Sequence, residues 1–161
     1  VELREITQGS LRAVLDLAVD PEQEPYVASN ARSIAEAHFE PRAWFRAVYA
    51  DGDPVGFVMA YRDPPEVFFV WRFMIDAEYQ GRGVGKEALK LVIGHVREKG
   101  IFEKLELSYV PSPGGPEGFY RKLGFEPTGR VDEGEVVLEL PLGNASFEGG
   151  SLVDLTDTRS T

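Results

Sequence analysis

The 161-residue sequence contains no cysteine, which excludes disulfides, thiolate metal ligands and a cysteine nucleophile. It has only two histidines, His38 and His95, 57 residues apart, so a histidine-based metal site has no support and no metal is expected. No apolar run approaches the ~18–20 residues that a membrane span requires, and the stretch from Val1 to Ser10 lacks the pattern of a secretory signal. No membrane partner is therefore expected, and a cytoplasmic address is. Basic residues are also scarce, 17 against 27 acidic ones, for a net charge of −10. That balance argues against nucleic acid, whose binders usually present a basic face.

The charge is unevenly spread. Residues 1–70 carry 12 acids and 6 bases, residues 71–130 carry 8 and 10, and residues 131–161 carry 7 and 1. A solvated acidic surface explains this plainly. Two partners of opposite sign, an anion in the basic middle and a cation opposite it, explain it as well. With 43% hydrophobic residues and this length, the chain can bury one full core.

Periodicity predicts a strand at Glu2–Ile6, a helix near Ser10–Val19 and a second helix over Tyr26–Phe39, ending before Pro41. The run "WFRAVYADGDPVGFVMAY" reads as a hairpin turning at Asp51-Gly52-Asp53. The third strand, Glu66–Ile75, is almost wholly apolar and should be central, covered on both faces. A helix to about Lys99, a strand at Lys104–Val110, a short helix at Pro116–Leu123 and strands near Phe125–Arg130 and Glu135–Leu140 complete the order. This is a mixed α/β or α+β sheet, not a strict βαβ repeat. The domain is expected to occupy residues 1–142, with a polar tail over 143–161 holding at most one short ordered piece, near Ser151–Leu155. Asn144-Ala145-Ser146 matches a glycosylation sequon and is read as chance.

Between the third strand and the following helix lies "MIDAEYQGRGVGKEAL", with glycines at 81, 83 and 85. It is not a dinucleotide fingerprint, because Lys86 stands where the third glycine belongs. It is not a P-loop either, with Gln80 and Glu87 at the required glycine and Ser/Thr positions. The shared physics survives. A strand enters a glycine-rich turn that opens a helix, so backbone N–H groups converge and the dipole adds roughly half a positive charge. Arg82 and Lys86 add two full charges, and small residues let the backbone approach a bulky anion such as a diphosphate.

Gln80-Gly81-Arg82-Gly83-Val84-Gly85-Lys86 resembles the Q-x-x-G-x-G/A pyrophosphate loop of the GNAT superfamily of acetyl-CoA-dependent N-acetyltransferases. The element order is similar to that fold over about residues 1–140. "QEPYVASNARSIAEA", "PVGFVMAY", "WRFMIDAEYQGRGVGKEAL" and "LSYVPSPGGPEGFYRKLGFEPTG" together resemble the bacterial spermine/spermidine N-acetyltransferases. The resemblance implies a mostly antiparallel sheet of about seven strands with about four helices, splayed between the fourth and fifth strands to admit acetyl-CoA. It implies that backbone N–H groups of Gln80, Gly81, Arg82, Gly83, Val84, Gly85 and Lys86 hold the diphosphate. Main chain near Met74 and Ile75 would pair with the pantetheine, and one N–H there would polarise the thioester carbonyl. Tyr120 takes the place of the family's tyrosine acid beside the sulfur; the alternative reading of Phe119-Tyr120 on a short helix is plain core. Many relatives carry asparagine and alanine where this chain has Pro113 and Pro116, so the asparagine's contacts do not transfer. Relatives commonly dimerise, which makes a homodimer an expectation.

The base is open. In the animal spermidine/spermine enzymes, a proposed strand-four glutamate aligns with Trp71, which is expected to line the acceptor side without acting as a base. A primary amine with pKa about 10.4 is only ~0.04% neutral at pH 7, equivalent to roughly 4.6 kcal/mol of unfavourable preparation. Glu24, Glu36 and Glu40 are the candidates to bind the cation or relay its proton, and each reads equally well as a solvated surface charge. The acidic flanks suit a polyamine, a peptide amine or an amine-bearing antibiotic alike, and a non-catalytic acyl-CoA-binding module is the alternative from another class.

Overall fold

The computed structural model describes residues 1–143; the expected short ordered piece near 151–155 and the sequon at 144–146 lie outside the described residues. The elements are β1 (Glu2–Arg4), α1 (Gln8–Leu15), α2 (Asn30–His38), β2 (Ala43–Ala50), β3 (Asp53–Arg62), β4 (Val67–Ile75), α3 (Val84–Lys99), β5 (Lys104–Tyr109), α4 (Glu117–Lys122), β6 (Glu126–Asp132) and β7 (Glu135–Pro141). They form one sheet in the order β1-β2-β3-β4-β5-β7-β6, antiparallel except between β4 and β5. This is the mixed sheet expected.

β4 is covered on both faces. Its Phe68 and Val70 pack with Leu89, Val92 and Val96 of α3 and with Leu105 and Leu107 of β5. On the other face Met74 joins Val14 of α1 and Phe57 and Met59 of β3, with Ile34 and Ala37 of α2 against them. Removing these side chains from water supplies the main stabilisation, at roughly 25 cal/mol per Å² of apolar surface.

The first two helices are shorter than their apolar periodicity suggests. Thr7 and Ser10 form a capping box that starts α1 early. It stops at Leu15 because the chain is drawn away: Ala18 donates its N–H to the Asp76 carboxylate at 3.0 Å, and its carbonyl accepts from Ala77 at 2.9 Å. The second helix starts at Asn30, not Tyr26. Ser29 caps it by accepting from the Arg32 N–H, while Glu24–Tyr26 makes a separate 3₁₀ turn before an extended Val27.

Two features of β4 open the sheet. β4 and β5 pair over four residues only, from Val67↔Lys104 to Val70↔Leu107, and then part. At the parting point β4 carries a bulge. Met59 pairs with Arg72 and Ala60 with Val70, so Trp71 has no partner across the ladder. A bulge bends its strand and increases the local twist, here carrying residues 72–75 away from β5.

Candidate active site

The register decides which backbone groups face the opening. Asp76 donates to the Val55 carbonyl at 2.8 Å, and Gly56 lies opposite Ile75. By antiparallel alternation the main chain of Arg72 and Met74 then faces β3, whereas that of Phe73 and Ile75 faces the gap toward β5. The Ile75 carbonyl there accepts from Gln80 Nε2 at 2.9 Å. Of the two residues expected to pair with the pantetheine, Ile75 thus turns its main chain to the gap, but Met74 turns its own to β3 and buries its side chain toward α1 and α2. Phe73 faces the gap instead.

Gly81 and Gly83 have φ of 74° and 80°, the left-handed region that costs non-glycine residues most. A Cβ on either would meet nothing within 4 Å, so conformation, and not crowding within the protein, demands glycine there. Gly83 is the N-cap of α3 and offers no side chain to its free amides; the first intrahelical bond runs from Glu87 N–H to the Gly83 carbonyl at 3.1 Å. The N–H groups of Val84, Gly85 and Lys86 are thus left without a cap at the positive end of a 16-residue helix. At Gly85 a Cβ would make only ordinary van der Waals contact, 3.5 Å from Ile75 and 3.6 Å from Phe119, so neither conformation nor packing within the protein demands glycine there. Arg82 stacks its guanidinium over Tyr79 at 5.5 Å, and Lys86 makes no ion pair among the described residues. Gln80 does not point outward. Its amide bridges the Ile75 carbonyl and Gln23, both at 2.9 Å, and pins the loop. The uncapped amides, open left-handed glycines and unpaired cation form a cradle that fits a diphosphate.

Tyr120 lies on α4 beside this cradle, its neighbour Phe119 packed near Gly85. Its ring is buried among Tyr109, Phe119 and Phe125, and its hydroxyl makes no hydrogen bond with the described residues. Burial raises the phenol to about 12, so the proton stays on oxygen at neutral pH. The loop before α4 turns through Ser112-Pro113-Gly114-Gly115, where the Gly115 N–H donates to the Ser112 carbonyl at 2.9 Å and Gly114 has φ of 69°. This is a type II turn signalled by Pro-Gly. A concavity of about 290 Å³ opens beside it, lined by Tyr109, Ser112 and Glu117.

The three candidate carboxylates are not gathered. Glu36, on α2, accepts from Arg32 at 2.8 Å and from Arg72 of β4 at 3.2 Å, so both its oxygens are engaged. Glu40 pairs with Arg42, which also pairs with Asp63 beyond β3, and its charge reaches Tyr61. Hydrogen bonds from the Arg42 side chain, then from its backbone, hold its carboxyl at about 2. Glu24 is exposed on the 3₁₀ turn next to Gln23, on the glycine-loop side. Trp71, at the bulge, packs edge-on to Tyr61 at 5.5 Å with the Arg72 guanidinium 4.8 Å from its ring.

A strand splayed at a bulge, with a glycine-opened helix amino end at the mouth of the gap, defines a class of acyl-carrier-binding transferase folds. A sequence model of the "Acetyltransferase (GNAT) family" matches residues 11–125, and the chain belongs to that family. It is 31% identical over 150 residues to the spermine/spermidine N(1)-acetyltransferase of Bacillus subtilis (strain 168), covering 86% of this chain and 96% of that one. An L-2,4-diaminobutyric acid acetyltransferase of Wolinella succinogenes is 32% identical over 79 residues, 47% of this chain and 46% of the relative. Among solved structures, the PaiA N-acetyltransferase from Thermoplasma acidophilum in complex with coenzyme A superposes with a TM-score of 0.67 at 18% identity, over 87% of this chain and 98% of that one. The chain is an acetyl-CoA-dependent N-acetyltransferase.

Proposed function

We propose that the protein transfers the acetyl group of acetyl-CoA to a primary amine of a small cationic substrate, with spermidine and spermine favoured. The observation that carries the reading is the uncapped amino end of α3, opened by left-handed Gly81 and Gly83, at the mouth of the β4–β5 gap. Bound there, acetyl-CoA supplies the activated acyl group. Backbone amides from Gly81 to Lys86 hold its diphosphate, and Lys86 and Arg82 add positive charge. The gap-facing main chain of Phe73 and Ile75 orients the pantetheine, and an N–H on that edge stabilises charge on the carbonyl oxygen. The Tyr120 hydroxyl protonates the sulfur as the carbon–sulfur bond breaks.

The polyamine preference rests on the Bacillus relative's name, on the net charge of −10 and on Glu36 and the Trp71–Tyr61 pair near the acceptor side. A second reading is favoured by one observation. Arg72 is half-buried, and its Nε has no hydrogen-bond partner among the described residues. An amine that carries its own carboxylate, such as a diamino acid, would complement that guanidinium. An acetyl-transfer assay across spermidine, spermine, 2,4-diaminobutyrate, a peptide amine and an aminoglycoside separates these readings. The highest kcat/KM is expected for the polyamines. A preference for diaminobutyrate would install the second reading, and no transfer to any amine would leave an acyl-CoA-binding module.

A further inference from the structure

β5 alternates its faces. Leu105 and Leu107 enter the core under α3, so Lys104, Glu106 and Ser108 point to the opposite face, where α1 and α2 lie. Ser108 is the first β5 residue past the last β4–β5 pair, placing its hydroxyl beside the point where the strands part and opposite the bulge at Trp71. That hydroxyl donates a hydrogen bond to the Glu135 carboxylate, at the start of β7. The β6–β7 hairpin leans over the same face, as the bond from Arg130 of β6 to Glu106 at 2.9 Å records.

The other charged groups around Glu135 are accounted for. From β5, Glu106 lies between Lys104 at 2.8 Å and Arg130 at 2.9 Å. Glu139 of β7 is paired with Lys104 at 2.9 Å. From α2, Glu36 is taken by Arg32 and by Arg72 of β4. Asp132, its partner across the hairpin, sits in the exposed last position of β6. Glu135 carries no ion pair among the described residues, yet it is near enough to Arg72 to favour that guanidinium's charge, second only to Glu36. A free carboxylate held by a hydroxyl at the parting point is what a cationic acceptor needs.

We propose that Glu135, held by Ser108, takes the proton from the acceptor ammonium; this rests on the acetyl-transfer reading above. The ammonium N–H bond breaks toward a Glu135 oxygen, and the freed nitrogen lone pair forms the bond to the acyl carbon. The carbon–sulfur bond breaks, and sulfur takes its proton from Tyr120. Nitrogen sheds two protons in all: one passes through Glu135 to solvent, and the other balances the one Tyr120 gives up. Ser108 is a positioning residue.

The test compares the full-length wild type with Glu135→Gln and Ser108→Ala, using spermidine and acetyl-CoA from pH 6 to 10, with acetyl-CoA affinity and melting temperature measured on each. Without the base only amine already neutral reacts, so kcat/KM of Glu135→Gln should rise about tenfold per pH unit toward the amine's pKa near 10.4. Its deficit should be about 10³-fold at pH 7 and nearly vanish by pH 10, with acetyl-CoA affinity within twofold of wild type. Ser108→Ala should lose about tenfold at pH 7 with the same trend. A merely structural role would lower all pH points together. A uniform loss, or a Glu135→Gln profile matching an active wild type, overturns the assignment of Glu135 and leaves acetyl transfer standing. A wild type that acetylates no amine overturns both. Should Glu135→Gln fail to fold, Ser108→Ala decides by the same profile.

Discussion

Replacing Tyr120 by phenylalanine removes one oxygen and keeps a ring buried against Tyr109, Phe119 and Phe125. The hydroxyl has no protein partner among the described residues, so its loss breaks no internal hydrogen bond and should not lower the melting temperature. The acid role proposed for it is demanding. Burial raises the phenol to about 12, whereas a thiol titrates near 8.5, so complete transfer to a free thiolate in the resting cleft is uphill by roughly 3–4 pH units, or about 5 kcal/mol. The hydroxyl must therefore act while the carbon–sulfur bond is breaking, as a donor to developing charge and not as an acid for a finished thiolate. An interaction formed mainly in the transition state lowers kcat when removed and leaves affinity alone. Tyr120→Phe should reduce kcat by ~10²–10³-fold, with CoA affinity within about twofold and melting unchanged or slightly higher. There is a second signature. A phenol whose folded pKa is raised contributes stability that is complete below about 10 and is lost as pH rises through about 12, at most about 3 kcal/mol here. The variant should resist that alkaline loss. Steady-state and single-turnover kinetics, calorimetry and melting between pH 8 and 12 make the test. An unchanged single-turnover rate would refute the acid role, and a fall in melting at neutral pH would refute the unpartnered hydroxyl.

Gly56→Ala should destabilise the fold by roughly 1–3 kcal/mol in chemical denaturation, because its Cβ would stand 2.6 Å from the Met74 carbonyl oxygen and 2.7 Å from Ile75 Cδ1 in the central ladder; an unmoved midpoint would contradict this packing. His95 stacks on Trp44 at 4.9 Å, and burial, then the charges of Lys99 and Arg46, lowers its pKa. Stability should therefore fall as pH drops below the ordinary histidine value of about 6.5, and His95→Gln should flatten that dependence between pH 7.5 and 5.5.

Local signals carried the glycine loop. Glycines at alternating positions, a preceding apolar strand and a following amphipathic run place 74–89 without any distant contact, and Pro113-Gly114 announces its turn. The order of elements along the chain and the both-sided burial of β4 were legible for the same reason. What was not legible depends on pairs far apart in sequence. The bulge at Trp71 is a register fact between two strands. Gln80 points inward because Gln23, 57 residues away, completes its amide. Glu36 reads as a helix-surface charge until β4 supplies Arg72, and the Ser108–Glu135 bond joins residues 27 apart. Spacing within one helix cannot report such partners. The need for glycine at 81 and 83 was visible, but the positive φ that also demands it required the backbone itself.

The central claim is that the amino end of α3 holds a diphosphate. Calorimetric titration of CoA and of pantetheine, which lacks the diphosphate, into wild type and Gly83→Val tests it. Valine at φ of 80° is strained by about 1–2 kcal/mol; a free loop that relaxes out of this conformation must restore it to bind CoA, corresponding to roughly a 5–30-fold loss. The account predicts that CoA binding weakens at least about tenfold while pantetheine binding stays the same and the fold persists. Equal CoA affinity in the two proteins would contradict it.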